Sequence, residues 1–253
     1  MKAMILAAGL GTRLRPLTDD RPKALVTVAG RTLLQIALER LRTFGVREAI
    51  VNAHHHAGMI VEYIQANNGF GMRVEISREE VLLDTGGGLK NAAWFFLEDS
   101  RSAQEPFIVH NVDVISNIDL GRMVLHHAEK DALATLAVQD RESSRYLLFN
   151  EQGQLCGRRV ERAAKAEEAQ SELASPAKTV KTLAFSGIHV VSPRLFAKID
   201  EEGAFSIVDA YLRLAAQGEE IIAFRADESY WRDLGRPESL IQAARDFDSG
   251  KYA

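Results

Sequence analysis

The opening of the chain constrains the fold more than any other stretch. The unbroken apolar run Ala3 to Ala8 stops at a glycine, and a helical repeat begins a short way beyond it. A run with no polar alternation has no face to turn to water, so it predicts a strand covered on both sides, as in a parallel sheet. From Thr32 to Phe44 the apolar residues Leu33, Leu34, Ile36, Ala37, Leu38 and Leu41 recur at helical spacing, and Gly45 supplies the stop. Further strands are predicted at Ala49 to Ala53, Met72 to Ser77, Phe107 to Asn111 and Ala132 to Val138, with helices between them at Met59 to Asn67, Gly88 to Leu97 and Leu120 to Lys130. Strands and helices in this alternation require right-handed crossovers. The predicted class is α/β, with a mostly parallel Rossmann-like sheet flanked by helices.

Past residue 140 the texture changes. Tyr146 to Phe149 and Leu155 to Val160 read as hairpin strands around Glu151-Gln152-Gly153, which predicts a small β-rich subdomain. Arg162 to Lys178 is rich in Ala, Glu, Lys and Ser, with little to bury, and reads as an exposed helix or a mobile insertion. A strand at Thr182 to Val191, a helix at Ser206 to Ala216, a strand at Glu220 to Phe224 and a closing helix at Ser239 to Phe247 complete the pattern. With no linker in view, residues 1–253 are expected to form one domain, its halves meeting near residue 140.

A net charge of −4 gives no reason to expect nucleic acid or an anionic membrane as a partner, so any phosphate must be met by a few local donors. The lone Cys156 excludes an internal disulfide and fits a reducing compartment. No apolar stretch is long enough for a secretory signal or a bilayer span, and a cytoplasmic location is expected.

Chemistry first shows in Leu6-Ala7-Ala8-Gly9-Leu10-Gly11-Thr12-Arg13-Leu14-Arg15-Pro16-Leu17-Thr18, directly after the first strand. Small residues there let backbone N–H groups approach an anion, and Gly9 and Gly11 can take backbone angles closed to other residues. The segment lacks the Gly-Lys-Ser/Thr ending of a P-loop, and Leu14 occupies the third glycine position of a dinucleotide fingerprint. A bare Gly-x-Gly is usually only a tight turn. The cationic residues that follow, Arg13, Arg15 and then Arg21-Pro22-Lys23-Ala24-Leu25, favour a phosphate cradle.

Gly-Leu-Gly-Thr-Arg-Leu-Arg-Pro-Leu-Thr followed by Pro-Lys-Ala-Leu-Val resembles the signature of the sugar-1-phosphate nucleotidyltransferases. The resemblance implies that the turn, Leu6, Ala7, Ala8, Gly9, Gly11 and Thr12, holds a nucleoside triphosphate. It implies that Arg13 neutralises the leaving pyrophosphate and that Lys23 binds the reacting phosphates. His110-Asn111-Val112-Asp113 and Trp231-Arg232-Asp233-Leu234-Gly235 resemble the family's two metal-binding segments, which makes Asp113 and Asp233 the candidate Mg²⁺ ligands, although the family carries glycine where this chain has Val112. Oxygen ligands of this kind suit that cation.

Leu83-Asp84-Thr85-Gly86-Gly87-Gly88 resembles the loop that holds the base, and its form is especially like that of N-acetylmuramate 1-phosphate uridylyltransferases, so Thr85, Gly86 and Gly87 join the nucleotide-binding candidates. Gly187, with Asn111 and Glu161, is assigned to the sugar side by the same resemblance. His54-His55-His56 is set aside as a metal site, because consecutive residues at a strand end point in different directions.

The resemblance covers nearly the whole chain and implies a bare catalytic domain, a monomer or small homo-oligomer, that joins an NTP to a sugar 1-phosphate. Uridylyl and guanylyl transfer both stay open. So do a cytidylyltransferase for phosphocholine or another non-sugar phosphate, and a catalytically silent nucleotide-sugar-binding subunit.

Overall fold

A computed structural model describes residues 1–99, 104–161, 170–173 and 179–252. Its first half runs β1 (Lys2–Leu6), a small hairpin of β2 (Thr27–Val28) and β3 (Arg31–Thr32), α1 (Leu33–Phe44), β4 (Glu48–Ala53), α2 (Ala57–Ala66), β5 (Arg73–Arg78), α3 (Asp84–Asn91), α4 (Ala93–Phe96), β6 (Phe107–Asn111), β7 (Val114–Ser116) and α5 (Leu120–Glu129). The second half runs β8 (Ala134–Gln139), β9 (Arg145–Phe149), β10 (Leu155–Val160), β11 (Gln170–Leu173), β12 (Lys181–Val191), α6 (Ile207–Ala216), β13 (Ile221–Arg225), β14 (Trp231–Asp233) and α7 (Pro237–Asp248).

The main sheet has the order β5-β4-β1-β6-β12-β8-β13, in which β12 alone runs against its neighbours. The chain leaves β1 towards β4 and β5, then returns to β6 on the other side of β1. That reversal opens a crevice at the carboxyl ends of β1 and β6, where α/β sheets bind ligands.

The apolar run of β1 is explained by its two coverings. Ala3 and Ile5 pack into one core with α1, α2, α5 and α7, while Met4 packs into a second core with α3, α4 and α6. Local signals place the helices as expected: the Thr32 hydroxyl caps α1 by accepting from the Gln35 N–H at 3.0 Å, and Gly45 ends it at φ +109°.

The first residues of β12, Lys181 to Leu183, pair with β9, and β9 continues into β10 and β11. This antiparallel wing is the expected β-rich subdomain. Part of the segment read as an exposed helix or mobile insertion is strand instead, because Gln170–Leu173 completes the wing against β10. The rest of Arg162 to Lys178 lies outside the described residues. The base-loop helix also begins earlier than its sequence suggests, at Asp84 rather than Gly88. Among the described residues no helix is long and apolar enough to cross a membrane.

Three histidines are buried without an acidic partner. His110 donates from Nδ1 to the Asn111 carbonyl at 2.8 Å, His127 shares a hydrogen bond with Thr135 at 2.9 Å, and His189 shares one with the Tyr211 hydroxyl at 2.7 Å. Burial lowers their pKa values to about 4, about 4 and about 3. Each therefore binds fewer protons folded than unfolded below the ordinary imidazole value of about 6.5, so the stability it contributes is complete above that pH and is lost as pH falls towards 4. The thermal midpoint is expected to drop across this window, and to drop less steeply in His127→Gln. A midpoint flat from pH 6.5 to 4 would contradict the burial of these rings as neutral species.

Candidate active site

Two adjoining chambers occupy the crevice, of about 800 Å³ and about 440 Å³. Leu6, Asp84, Thr85 and Asn111 stand on the walls of both. The smaller chamber is also lined by Ala8, Gly9, Lys23 and Asp113, and the larger by Arg13, Gly187 and Asp233. Residues far apart in sequence thus meet at one place.

The turn after β1 is shaped as a cradle. Gly11 has φ +63°, and a Cβ there would lie 2.9 Å from Thr18 Cγ2 and 3.0 Å from the Lys23 Cβ. Gly11 is thus required both for its backbone angle and for the passage of the Lys23 stem. Gly9 does not use a left-handed angle, contrary to expectation; open space surrounds its Cα, which leaves its backbone accessible from the chamber. Asn52 braces the turn by accepting from the Ala7 N–H at 2.7 Å.

Lys23 is nearly buried and forms an ion pair with Asp113. Val112, in place of the resembled glycine, causes no distortion. Its side chain is buried in the core, its φ is not positive, and its N–H reaches the Leu6 carbonyl at 3.1 Å.

The second carboxylate arrives on a ribbon that sequence reading missed. β14 pairs antiparallel with β7, setting Asp233 opposite Val114, and the Leu234 N–H donates to the Asp113 carbonyl at 2.7 Å. The backbones carrying Asp113 and Asp233 are therefore neighbours across 120 residues of chain. Gly235 keeps the space clear: a Cβ on it would fall 2.6 Å from Arg13 Nη2 and 2.7 Å from Asp233 Oδ1. Arg13 makes no side-chain hydrogen bond or ion pair to another described residue, so its charge is available to an incoming anion.

Gly187, a candidate for the sugar side, sits at an irregularity of β12 with φ +72°, where a Cβ would meet Asn111 Nδ2 at 2.7 Å. The structure brings these two candidates together. It places Glu161 at the exposed end of β10, 3.1 Å from Arg159, and the lining there comes from its neighbours Arg158, Arg159 and Val160.

Gly86 and Gly87 lie beneath the chamber wall, and their N–H groups donate to the Phe205 carbonyl at 2.9 and 3.3 Å. Asp84 and Thr85 present the edge instead. Close packing accounts for the glycines, since a Cβ on Gly87 would lie 2.3 Å from the Gly203 carbonyl oxygen, and one on Gly88 2.6 Å from Asn52.

Arg141 was not anticipated. It stacks on Trp231 with its guanidinium carbon 3.6 Å from the ring centroid and donates to the Phe185 carbonyl at 2.9 Å. Burial lowers its pKa from the ordinary value, an effect that nearby Asp233 opposes. Only its place in space identifies it, since a single arginine in a loop has no sequence signature.

Comparison with known proteins bears on this geometry. A family model described as nucleotidyl transferase matches residues 2–250. The chain belongs to that family. It is 34% identical to the N-acetylmuramate alpha-1-phosphate uridylyltransferase of Caulobacter vibrioides, over 95% of this chain and 94% of that one. It is 27% identical to the mannose-1-phosphate guanylyltransferase of Mycobacterium tuberculosis, over 98% of this chain but 65% of the other. Among solved structures, HddC of Yersinia pseudotuberculosis, complexed with GMP-PN, superposes with a TM-score of 0.74 at 23% identity, covering 97% of this chain and 99% of that one. The fold is that of the nucleotide-diphospho-sugar transferases, and the chain is a nucleotidyltransferase.

Gly87→Ala tests the packing under the chamber wall at the start of α3. Its Cβ meets backbone rather than a movable side chain, so a loss of about 1–3 kcal/mol is expected, read as a lower denaturant midpoint. An unchanged midpoint would mean that the helix start tolerates displacement.

Proposed function

We propose that the chain transfers a nucleotidyl group from an NTP to a sugar 1-phosphate, giving an NDP-sugar and pyrophosphate, and that it works as one catalytic domain with the nucleotide bound mainly by its first half. The observation that carries this reading is a chain of neighbours: Lys23 pairs with Asp113 on the wall of the smaller chamber, the Leu234 N–H joins the Asp113 backbone to that of Asp233, and Arg13 and Asp233 flank Gly235 on the wall of the larger. Binding alone does not require two carboxylates beside two cations, so this cluster favours turnover over a silent subunit.

The donor set fits a small hard cation. Among the described residues there is no group of three His, Cys, Asp or Glu side chains that could hold a metal by themselves. Two carboxylates leave positions for phosphate oxygens and water, which is how Mg²⁺ is commonly bound. Asp113 and Asp233 would hold it, and when bound it supplies positive charge at the α-phosphate.

An oxygen of the sugar phosphate attacks the α-phosphorus, and the bond from that phosphorus to the oxygen bridging to the β-phosphate breaks. Lys23 places an ammonium against the reacting phosphates. Arg13 and the backbone of the β1 turn receive the charge that gathers on pyrophosphate. The transfer needs no covalent intermediate, so the chain acts by position and electrostatics. Asn111 and Gly187 form the sugar side, and Arg141 over Trp231 offers a further cation near Asp233.

Uridylyl transfer is the leading base assignment, supported by the relative matched over 94% of its length, and an N-acetylated hexose 1-phosphate is the leading acceptor.

Pyrophosphate release on mixing UTP or GTP, Mg²⁺ and candidate sugar phosphates tests the reading directly. Lys23→Ala and Asp113→Asn are each expected to lower kcat by roughly a hundredfold or more, about 3 kcal/mol in the barrier, with an unchanged circular dichroism spectrum. Near wild-type turnover in either would remove that residue from its role. Chelation by EDTA is expected to stop release and excess Mg²⁺ to restore it; release that persists in EDTA would exclude the divalent cation.

A further inference from the structure

Arg141 lies in the loop between β8 and β9, and that loop is fastened at both ends. Gln139, the last residue of β8, donates from Nε2 to the Ala226 carbonyl at 2.7 Å and the Ser229 carbonyl at 2.9 Å, and the Asp140 N–H donates to Asp227 Oδ1 at 2.7 Å. Towards β9, the Ser143 N–H donates to the Tyr146 hydroxyl at 2.9 Å.

The guanidinium is held in turn. Trp231 stacks on it, its Nη2 donates to the Phe185 carbonyl at 2.9 Å, and the Trp231 Nε1 donates to the Ser186 carbonyl at 2.7 Å. The cation and the ring beneath it are thus tied to the two residues that precede Gly187. Trp231 also opens the strand that carries Asp233, and Arg141 stands close enough for that carboxylate to favour its charge. Arg141 therefore adjoins both Gly187 and Asp233, and all three line the larger chamber.

Much of its bonding capacity remains open. Nη1 has only a 3.4 Å contact with the Glu142 carbonyl, a weak bond at that length, and among the described residues Arg141 has no ion pair. Its Nε is buried without a partner, so the cation is partly dehydrated and gains more from an anion than a fully hydrated arginine does. A fixed cation with an open edge on a chamber wall is suited to an anion that enters that chamber.

Two anions meet in the proposed reaction, and they repel each other. Lys23 lines the smaller chamber, where it is paired with Asp113, and Arg13 is assigned to the departing pyrophosphate. The acceptor phosphate arrives from the side of Asn111 and Gly187 with about two negative charges at neutral pH. It passes the part of the chamber that Arg141 borders.

We propose that Arg141 binds the phosphate of the acceptor and brings it up to the α-phosphate, with Trp231 holding the guanidinium in place. This rests on the sugar-1-phosphate reading above. The planar fork offers paired N–H groups to phosphate oxygens, and a stacked guanidinium spends little freedom on making those bonds.

The test is steady-state pyrophosphate release with Mg²⁺, using whichever pairing of UTP or GTP with glucose, mannose, N-acetylglucosamine or N-acetylmuramate 1-phosphate the intact chain turns over best. Arg141→Gln is expected to raise the KM for the sugar phosphate by roughly ten- to a hundredfold, the loss of a charged hydrogen bond, and to leave the KM for the NTP in place. Guanidinium chloride at a non-denaturing concentration is expected to restore part of the sugar-phosphate KM in Arg141→Ala, which a purely structural role for the side chain would not allow. Arg141→Lys keeps the charge without the fork, so a smaller rise in the same KM alone is expected; it carries the test should Arg141→Gln fold poorly, as read by circular dichroism. An unchanged sugar-phosphate KM in a folded variant would overturn the proposal. So would a KM for the NTP that rises as much, which would assign Arg141 to the triphosphate. No turnover of any pairing by the intact chain would overturn the parent reading, and this proposal with it.

Discussion

The ion pair between Lys23 and Asp113 joins the segment just before β2 to the turn after β6, positions 90 residues apart. Both side chains are largely shielded from water, and removing either would leave the other charged and poorly solvated. The pair thus ties the loop between β1 and β2 to the end of β6. Gly11 permits it, since a side chain there would press on the Lys23 stem. The β7–β14 ribbon extends it, by setting the Asp233 backbone against that of Asp113. Cations and carboxylates held this closely are arranged before any phosphate arrives, and pre-arranged charge is the most effective kind for a reaction that moves charge between phosphate oxygens.

The rest of the molecule keeps that cluster rigid. The sheet is buried on both faces by separate helical layers, so the strand ends at the crevice cannot shift without disturbing two cores. Asn52 carries the order outward. It accepts from Ala7 in the turn after β1 and donates to buried Glu79 at 2.6 Å, and Glu79 accepts from the Leu83 N–H at 3.0 Å just before α3. A continuous polar chain therefore links the β1 turn to the start of α3, packed so closely that Gly88 has no room for a side chain.

Much of this was legible in the sequence wherever a local pattern has a single physical meaning. The two-faced burial of β1, the capped α1 and the left-handed Gly11 each follow from a few adjacent residues. The β7–β14 ribbon was not legible, because each strand has only three residues and no alternation to read. Gly86 and Gly87 show a different limit. Their sequence suits close approach to a ligand, and the group they approach is the chain's own 203–205 segment. The same blindness hid Arg141, whose place on the chamber wall arises only when the β8–β9 loop stacks it on Trp231.

The most direct test of one shared phosphate-handling centre is a crystal structure of the chain with Mg²⁺ and a non-hydrolysable NTP analogue. The expected result is a single metal within about 2.1 Å of carboxylate oxygens from both Asp113 and Asp233, with Lys23 against the α-phosphate and Arg13 against the β- or γ-phosphate. A triphosphate bound away from the β1 turn, or a metal held by neither aspartate, would contradict it.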